Sequence, residues 1–308
     1  MENSSATSEL KYETESNDPI GEPLRELISQ VEHSDISSIK LVVQKILKII
    51  HDPASTAKDL KEVIALDPPL AAKVLRFANS AYYARLRRVT DIEKAVIWIG
   101  YDTLKELALS QKVCELFQEE EELSGYSRLA LWKHSVAVAI TAKLIYRYEF
   151  GDHGDQMYAL GLLHDIGFII EDQLLHDHFQ LILERSREEK RSIVKVEQDV
   201  LGFDHTDIGR LLVREWKLPG ALEYSIGAHH SPENIEGEYA REARTLALAN
   251  IYCQKRQIGY VDTSSHSPET LAGLQRKLSI YSGAMEFIMD DVEGQIARLE
   301  EEGWFHND

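Results

Sequence analysis

Residues 161–167, GLLHDIG, set an imidazole and a carboxylate side by side at the end of an apolar run that includes Ala159, Leu160, Leu162 and Leu163. His164 and Asp165 are both metal-ligand types and proton carriers, and burying them is costly unless something satisfies them. Three further segments carry groups of the same kind: His134 in LWKHSVAVAITAKLI, His205 in FDHTDIGRLLVREW, and His229 with His230 in LPGALEYSIGAHH. Neighbours on an α-helix point about 100° apart. An adjacent pair is therefore expected to serve two ions, or one ion and its outer shell, rather than to chelate one ion as an i, i+4 pair does. On that geometry Asp165 supplies a carboxylate that bridges two ions while His164 binds one, and His229 and His230 act alike on the opposite wall. Mixed nitrogen and oxygen ligands favour Fe, Mn, Zn or Ni over Ca or Mg. Such a centre activates a water for attack on phosphorus. The other reading makes each of His134, His205 and His229 a hydrogen-bonded core or surface residue, and spacing alone leaves both open. The remaining histidines, His33, His51, His153, His176, His178, His266 and His306, read as surface residues.

The elements that must position these groups read as helix after helix. Asp67-Pro68 is an N-cap followed by proline at the first helical position, where the missing N–H costs nothing. Leu70, Val74, Leu75 and Ala78 then form an apolar stripe at helical spacing. Thr90-Asp91-Ile92-Glu93 fits a capping box, and Gly100 suits a left-handed C-cap. Asp102 is expected to cap a longer helix carrying Leu104, Leu107, Ala108 and Val113. QEEEELSG reads as a solvated linker, after which a second block, starting near Tyr126, holds the chemistry-bearing residues. Leu131, Ala137 and Val138 share the helix face of His134, and Asp204 or Thr206 caps the helix that starts at His205. A loop follows residue 255, then an amphipathic region marked by Leu274, Leu278, Met285, Ile288, Ile296 and Leu299. That region is expected to pack back on the domain or to present a partner-binding face. No strand alternation, hairpin turn chemistry or internal repeat is evident.

The chain has 308 residues and a formal charge of −18, which argues against binding a nucleic-acid backbone. Arg85, Arg87 and Arg88 cluster locally, as a solvated loop or as an anion or partner site. No window approaches the roughly 18 apolar residues of a membrane span, and the polar, acidic N-terminus is neither a signal nor a transit peptide. A cytoplasmic location is the expectation. Cys114 and Cys253 offer neither a disulfide framework nor a Cys-x-x-Cys site and read as structural.

The His134, His164-Asp165-Ile166-Gly167, His205 and His229-His230 pattern resembles the HD superfamily of metal-dependent phosphohydrolases. A narrower match lies upstream, in IALDPPLAAKVLRFANSAYYARLRRVTDIEKAVIWIGYDTLKELALS, which resembles the HDOD (HD-related output domain) family. Its marks are Asp67-Pro68, Asn79-Ser80-Ala81-Tyr82 and Ala95 through Gly100. Leu131, Trp132, His134, Ser135 and the Glu215-Trp216-x-Leu218-Pro219 stretch fit as well, so the resemblance covers roughly residues 37–255. It implies an all-α fold, a multi-helical HD-like bundle with an N-terminal helical subdomain. The expected organisation is a disordered tail over 1–20, the N-terminal subdomain over 21–120, the HD-like subdomain over 121–255 and a C-terminal extension over 256–308.

The resemblance also implies a bacterial signalling or regulatory module, most members of which have no assigned catalytic activity. It carries over six metal-ligand positions: His134, His164, Asp165, His205, His229 and His230. His164 and Asp165 would be catalytic only in an active hydrolase. The chain departs from the hydrolase pattern at three places. Asn250, in LALANIY, stands where a closing aspartate ligand is expected. Phe168 stands where the cyclic-dinucleotide phosphodiesterase branch has a lysine, and HHSPENIEGEY contains no Gly-Tyr-Pro signature. The expectation is a signalling module without turnover, with or without a retained metal, for which the fitting ions are one or two divalent ions of Fe, Mn, Zn or Ni. The alternative is a metal-dependent phosphohydrolase acting on a nucleotide or phosphoester. No organic cofactor, nucleic acid or membrane is expected as a partner. An unidentified signalling protein and a small phosphorylated ligand are.

Overall fold

The computed structural model describes residues 21–80, 89–118, 122–262 and 267–305. The expectations for residues 1–20, Ala81-Tyr82, the Arg85, Arg87 and Arg88 cluster, His266 and His306 lie outside them. The first block runs through α1 (Glu22–Val31), α2 (Lys40–His51), α3 (Ala57–Ala65), α4 (Pro68–Ala78), α5 (Ile92–Ile99) and α6 (Tyr101–Val113). A second block holds α7 (Arg128–Glu149), α8 (Asp155–Leu163), α9 (Ile166–Leu174), α10 (His176–Glu189) and α11 (Ile193–Leu201). It continues through α12 (His205–Glu215), α13 (Gly220–Ala228) and α14 (Ala240–Lys255), and the chain then forms α15 (Pro268–Leu278) and α16 (Ser282–Glu301). The fold is all-α.

The peripheral helices are amphipathic at the spacing their sequences require: Leu24, Leu27, Ile28 and Val31 bury one face of α1. α7 differs, because His134 through Ala142 are buried on every side of the helix. A helix apolar all round belongs in the interior, and α8, α14 and α16 pack around it. The two glycines of GLLHDIG allow this packing. A Cβ at Gly161 would lie 2.3 Å from the Ala139 Cα of α7, and one at Gly167 would lie 2.0 Å from the His205 carbonyl oxygen of α12. Both contacts are too close for any side chain, so α8 and α9 are drawn against α7 and α12 with His164-Asp165 between them. The C-terminal helices pack back: α16 lies along α7, and Trp304 meets Phe77 of α4 with ring centroids 5.0 Å apart.

Local expectations fare unevenly. Asp67 does cap α4, accepting from the Leu70 N–H, and Lys112 of α6 holds the same carboxylate at 2.6 Å. The cap of α5 is Asp91, which accepts from Lys94 N–H, and not Thr90. A carboxylate one residue nearer the helix takes the orphan donor first. Asp102 caps nothing: Gly100, at φ 90° and ψ 154°, both ends α5 and begins α6, so Asp102 falls inside the first turn. Nor is QEEEELSG wholly a linker. Glu122–Leu123 pairs antiparallel with Tyr126–Ser127 across Ser124-Gly125, both at positive φ (48° and 88°). That two-residue turn closes a small hairpin the alternation rule is too long-ranged to detect.

Candidate metal centre

His164 is the last residue in helical geometry at the end of α8, and Asp165, at φ −103° and ψ 19°, leaves it. The pair thus occupies the turn between α8 and α9 and not a helix interior. The break swings the two side chains together, with His164 Nε2 3.0 Å from Asp165 Oδ2. His229 and His230 likewise lie past the end of α13. Neighbours therefore do converge on one site, contrary to the divergence expected on a continuous helix. Two groups of ligand atoms result, one of His134, His164 and Asp165 and one of Asp165, His205, His229 and His230. Asp165 belongs to both, as a bridging carboxylate must.

Each imidazole is fixed from behind. Nδ1 of His164 donates to the Gly161 carbonyl at 2.8 Å, Nδ1 of His229 to the Ile226 carbonyl at 2.7 Å, and Nδ1 of His134 to the Ile258 carbonyl at 3.2 Å. A carbonyl only accepts, so these contacts put a proton on Nδ1; in His164 and His229 that leaves the Nε2 lone pair facing inward, the tautomer a metal requires, whereas Nε2 of His134 also meets an oxygen, Asn250 Oδ1 at 2.9 Å. His205 is the first residue of α12, whose start is set by Asp204 accepting from Thr206 N–H and Asp207 N–H. Its Nδ1 lies 2.9 and 3.0 Å from the two oxygens of Glu197.

Four Nε2 atoms then surround one carboxylate. Oδ2 of Asp165 lies 3.0 Å from that of His164 and 3.9 Å from that of His134, and Oδ1 lies 3.3 Å from that of His229 and 3.7 Å from that of His205. The four rings are at most 1% exposed and Asp165 is 4% exposed. Nε2 of His164, His205 and His229 and Oδ1 of Asp165 have no hydrogen-bond partner. Burial pushes the Asp165 carboxyl up, but the imidazoles, His164 first and then His229, hold it well below the ordinary carboxylate value. Burial, with the His164 ring beside it, pushes His134 down, toward its neutral, ligating form. Buried lone pairs that converge without donors form a cradle for a cation. The nitrogen-rich donor set fits Fe, Mn, Zn or Ni.

The departures from the hydrolase pattern have definite places. Asn250 of α14 sits with Oδ1 2.9 Å from His134 Nε2, so an amide occupies the flank of the first group. Phe168 stacks on His205, centroids 3.9 Å apart and planes 20° from parallel, and covers that ligand with an apolar ring instead of offering a cation to a phosphate. His230 faces the second group, and its Nε2 is 3.8 Å from Asp262 Oδ2.

Three acidic residues around the centre escaped the sequence reading. Glu197 lies on the buried stripe of α11 beside Ile193 and Val196, and a carboxylate on an apolar stripe was a readable signal. Glu171 ends the apolar run of α9, fully buried, with neither oxygen hydrogen-bonded. Burial, with other carboxylates nearby, pushes both Glu171 and Glu197 well above the ordinary glutamate value. Asp262 gave no signal, since it lies in an irregular segment.

The profile of the HDOD-domain family matches residues 36–232. The chain belongs to the HDOD-domain family. An uncharacterised protein of Treponema pallidum (strain Nichols) is 26% identical to this HDOD chain over 224 residues, 70% of the chain and 42% of that protein. The chain thus spans less than half the length of this curated relative. A solved HDOD-domain protein of unknown function from Geobacter sulfurreducens superposes with a TM-score of 0.75 at 25% identity, covering 90% of this chain and 94% of its own. A protein of Marinobacter aquaeolei VT8, provisionally named for signal transduction, superposes at 0.72 with 20% identity, covering 91% of this chain and 63% of its own. One of Shewanella amazonensis SB2B, provisionally named a phosphohydrolase, superposes at 0.65 with 22% identity, covering 92% and 96%. These last two establish the shared fold. Among the described residues no helix is long and apolar enough to cross a membrane.

Proposed function

We propose that this HDOD chain is a regulatory module whose buried histidine–aspartate centre holds one or two divalent ions of Fe, Mn, Zn or Ni and does not turn over substrate. The observation that carries this reading is the enclosure of an otherwise complete ligand set. His134, His164, Asp165, His205 and His229 are each at most 4% exposed. A phosphoester must bring its phosphorus within reach of an activated water, and among the described residues these five side chains offer it no exposed face, while the sixth ligand residue, His230, has a side chain 6% exposed. Phe168 over His205 and the Asn250 amide against His134 act in the same direction, because one removes a phosphate contact and the other a balancing charge. The provisional naming of the Marinobacter protein for signal transduction agrees with this reading.

A phosphohydrolase acting on a nucleotide or phosphoester is the second reading, favoured by the Asp165 carboxylate that both ligand groups share. When bound, ions at this centre would supply Lewis-acid activation of a water. The chain's own contribution would be the Nδ1-anchored imidazoles that aim lone pairs at the ions and the Asp165 bridge that sets their spacing.

Metal analysis of the full chain, followed by a screen of phosphoesters and cyclic nucleotides beside an Asp165→Ala control, separates the readings. The proposal expects about one to two equivalents of a transition-type ion, lost in Asp165→Ala, with no turnover above that control. Turnover by the unaltered chain that Asp165→Ala lacks would establish the hydrolase. Less than about a tenth of an equivalent after metal-supplemented expression would exclude a metal centre of either kind.

A further inference from the structure

Between the end of α14 and the start of α15 the chain passes over the metal centre as an irregular strap, residues 257–262, with Gln257 and Gly259 at positive φ. Its side chains alternate: Ile258, Tyr260 and Asp262 are buried, while Gln257 and Val261 are exposed. Three contacts seat it on the ligands themselves. The Ile258 carbonyl accepts from Nδ1 of His134 at 3.2 Å, in the first ligand group. Asp262 stands 3.8 Å from Nε2 of His230, in the second, with the two side chains 3% and 6% exposed. Tyr260 packs edge-on to Phe168, centroids 5.9 Å apart, and Phe168 is the ring stacked on His205.

The strap also has no freedom to ride higher. The Tyr260 N–H donates to the Ala130 carbonyl at 2.8 Å, one turn before His134. Gly259, at φ 75°, passes so close to α7 that a Cβ there would lie 2.4 Å from the His134 nitrogen and 2.5 Å from the Ala130 oxygen. Only glycine fits, both for the backbone angle and for the approach.

Charge gives the strap a second role. The two ligand groups contain one carboxylate between them, Asp165, and the flank of the first is an amide, Asn250. Divalent ions in so nitrogen-rich a pocket need negative charge nearby. Asp262 is a buried carboxylate at ion-pair distance from a ligand imidazole, and it comes from the strap and not from α14. A carboxylate that accepts from a ligating histidine orients it and raises its basicity, and Asp262, at 3.8 Å, needs to close by less than about 1 Å to do so.

We propose that the strap is a wall of the metal centre, with Asp262 as the positioning carboxylate of His230, so that metal binding and seating of the strap are thermodynamically linked. This rests on the metal-centre reading given above. The strap leads through residues 263–266 into α15 and α16, which pack on α14 and α7. Linkage is reciprocal, so whatever the ion contributes to strap docking, the docked strap contributes to ion affinity.

The test uses the full chain and Mn(II) as probe. Binding is followed by the electron paramagnetic resonance of free Mn(II), and strap docking by amide hydrogen exchange over residues 257–262 and α15. The unaltered protein is expected to bind Mn(II) and to slow strap exchange by about tenfold or more on loading. Asp262→Asn is expected to weaken binding about 10- to 100-fold and to lose the metal-dependent protection, with its melting temperature in chelator unchanged. Asp262→Glu is expected to recover part of both. Asp165→Ala, which leaves the strap intact, should bind no Mn(II) and show no metal-dependent protection. Strap exchange in the unaltered protein that is the same with and without bound Mn(II) overturns the linkage, whatever becomes of the variants. Asp262→Asn that binds as tightly as the parent overturns the role of Asp262 while leaving the metal centre standing. No Mn(II) or other transition-type ion bound by the parent removes the metal-centre reading, and the inference with it.

Discussion

The two ligand groups that meet at Asp165 are built from the same residue types and held in different ways. In the first, His134 and His164 rest on backbone carbonyls, those of Ile258 and Gly161, and the flank is the neutral Asn250 amide. In the second, His229 rests on a carbonyl, but His205 rests on Glu197 and His230 faces Asp262. Carbonyl dipoles fix a tautomer, whereas an acidic side chain also compensates the charge of an ion once it gives up its proton, which a cation beside His205 would favour in Glu197. On the metal-centre proposal, the comparison predicts that the second group is the stronger site and the first the weaker, with Asp165 common to both. Asp165→Ala is therefore the largest perturbation available. It should remove ions from both groups together, and metal analysis that found one group still loaded would show that the carboxylate is not shared.

A nearly equal effect, on structure and not on metal, is expected at Gly167. The α9–α12 approach that places Asp165 beside His205 has no room for a Cβ, which would sit 2.0 Å from a backbone oxygen. Gly167→Ala should cost about 3 kcal/mol or more of stability, since backbone must move. Chemical denaturation in chelator measures it, and a cost below about 1 kcal/mol would mean the two helices separate freely. Asn250→Asp tests the comparison from the other side. A carboxylate beside His134 should strengthen the weaker group, raising its metal affinity by about tenfold or converting one bound equivalent into two. Calorimetric titration with Mn(II) or Zn(II) reads both numbers, and unchanged binding would mean that charge is not what separates the two groups.

Much of this arrangement was legible in the sequence, for identifiable reasons. The histidine and aspartate positions were visible because ionisable groups embedded in apolar runs violate the ordinary burial pattern. The all-helical class followed from apolar spacing, as in α4 and α16. What remained hidden was where helices stop. His164-Asp165 and His229-His230 read as pairs on continuous helices, and only the breaks after α8 and α13 let neighbours converge. Capping was misplaced at Thr90 and Asp102 because several residues in a row were competent to cap, and tertiary packing chose among them. The strap was beyond reach: Asp262 belongs to the site through a long-range contact, and nothing in its local sequence distinguishes it from a loop residue.

The smallest expected effect concerns the acidic backing of the second group. Burial pushes Glu171 well above the ordinary glutamate value of 4.5, and nearby Glu197 pushes it further. An acid whose folded value is raised holds its proton in the native state at pH values where the unfolded chain has released it. Its contribution to stability is fully present below about 4.5 and is lost as pH rises from there toward the raised folded value. Glu171→Gln cannot titrate, and it leaves Glu197 facing an amide in place of a second acid. In chelator, the variant should match the parent near pH 4.5 and gain on it steadily up to pH 8, reaching about 1 kcal/mol or a few degrees in melting temperature. The backing of the first group, being carbonyl, supplies no such term. A stability difference between variant and parent that does not change with pH would show that Glu171 is already ionised in the folded chain, and that the carboxylates behind His205 are not the electrostatic feature that separates the two halves of the centre.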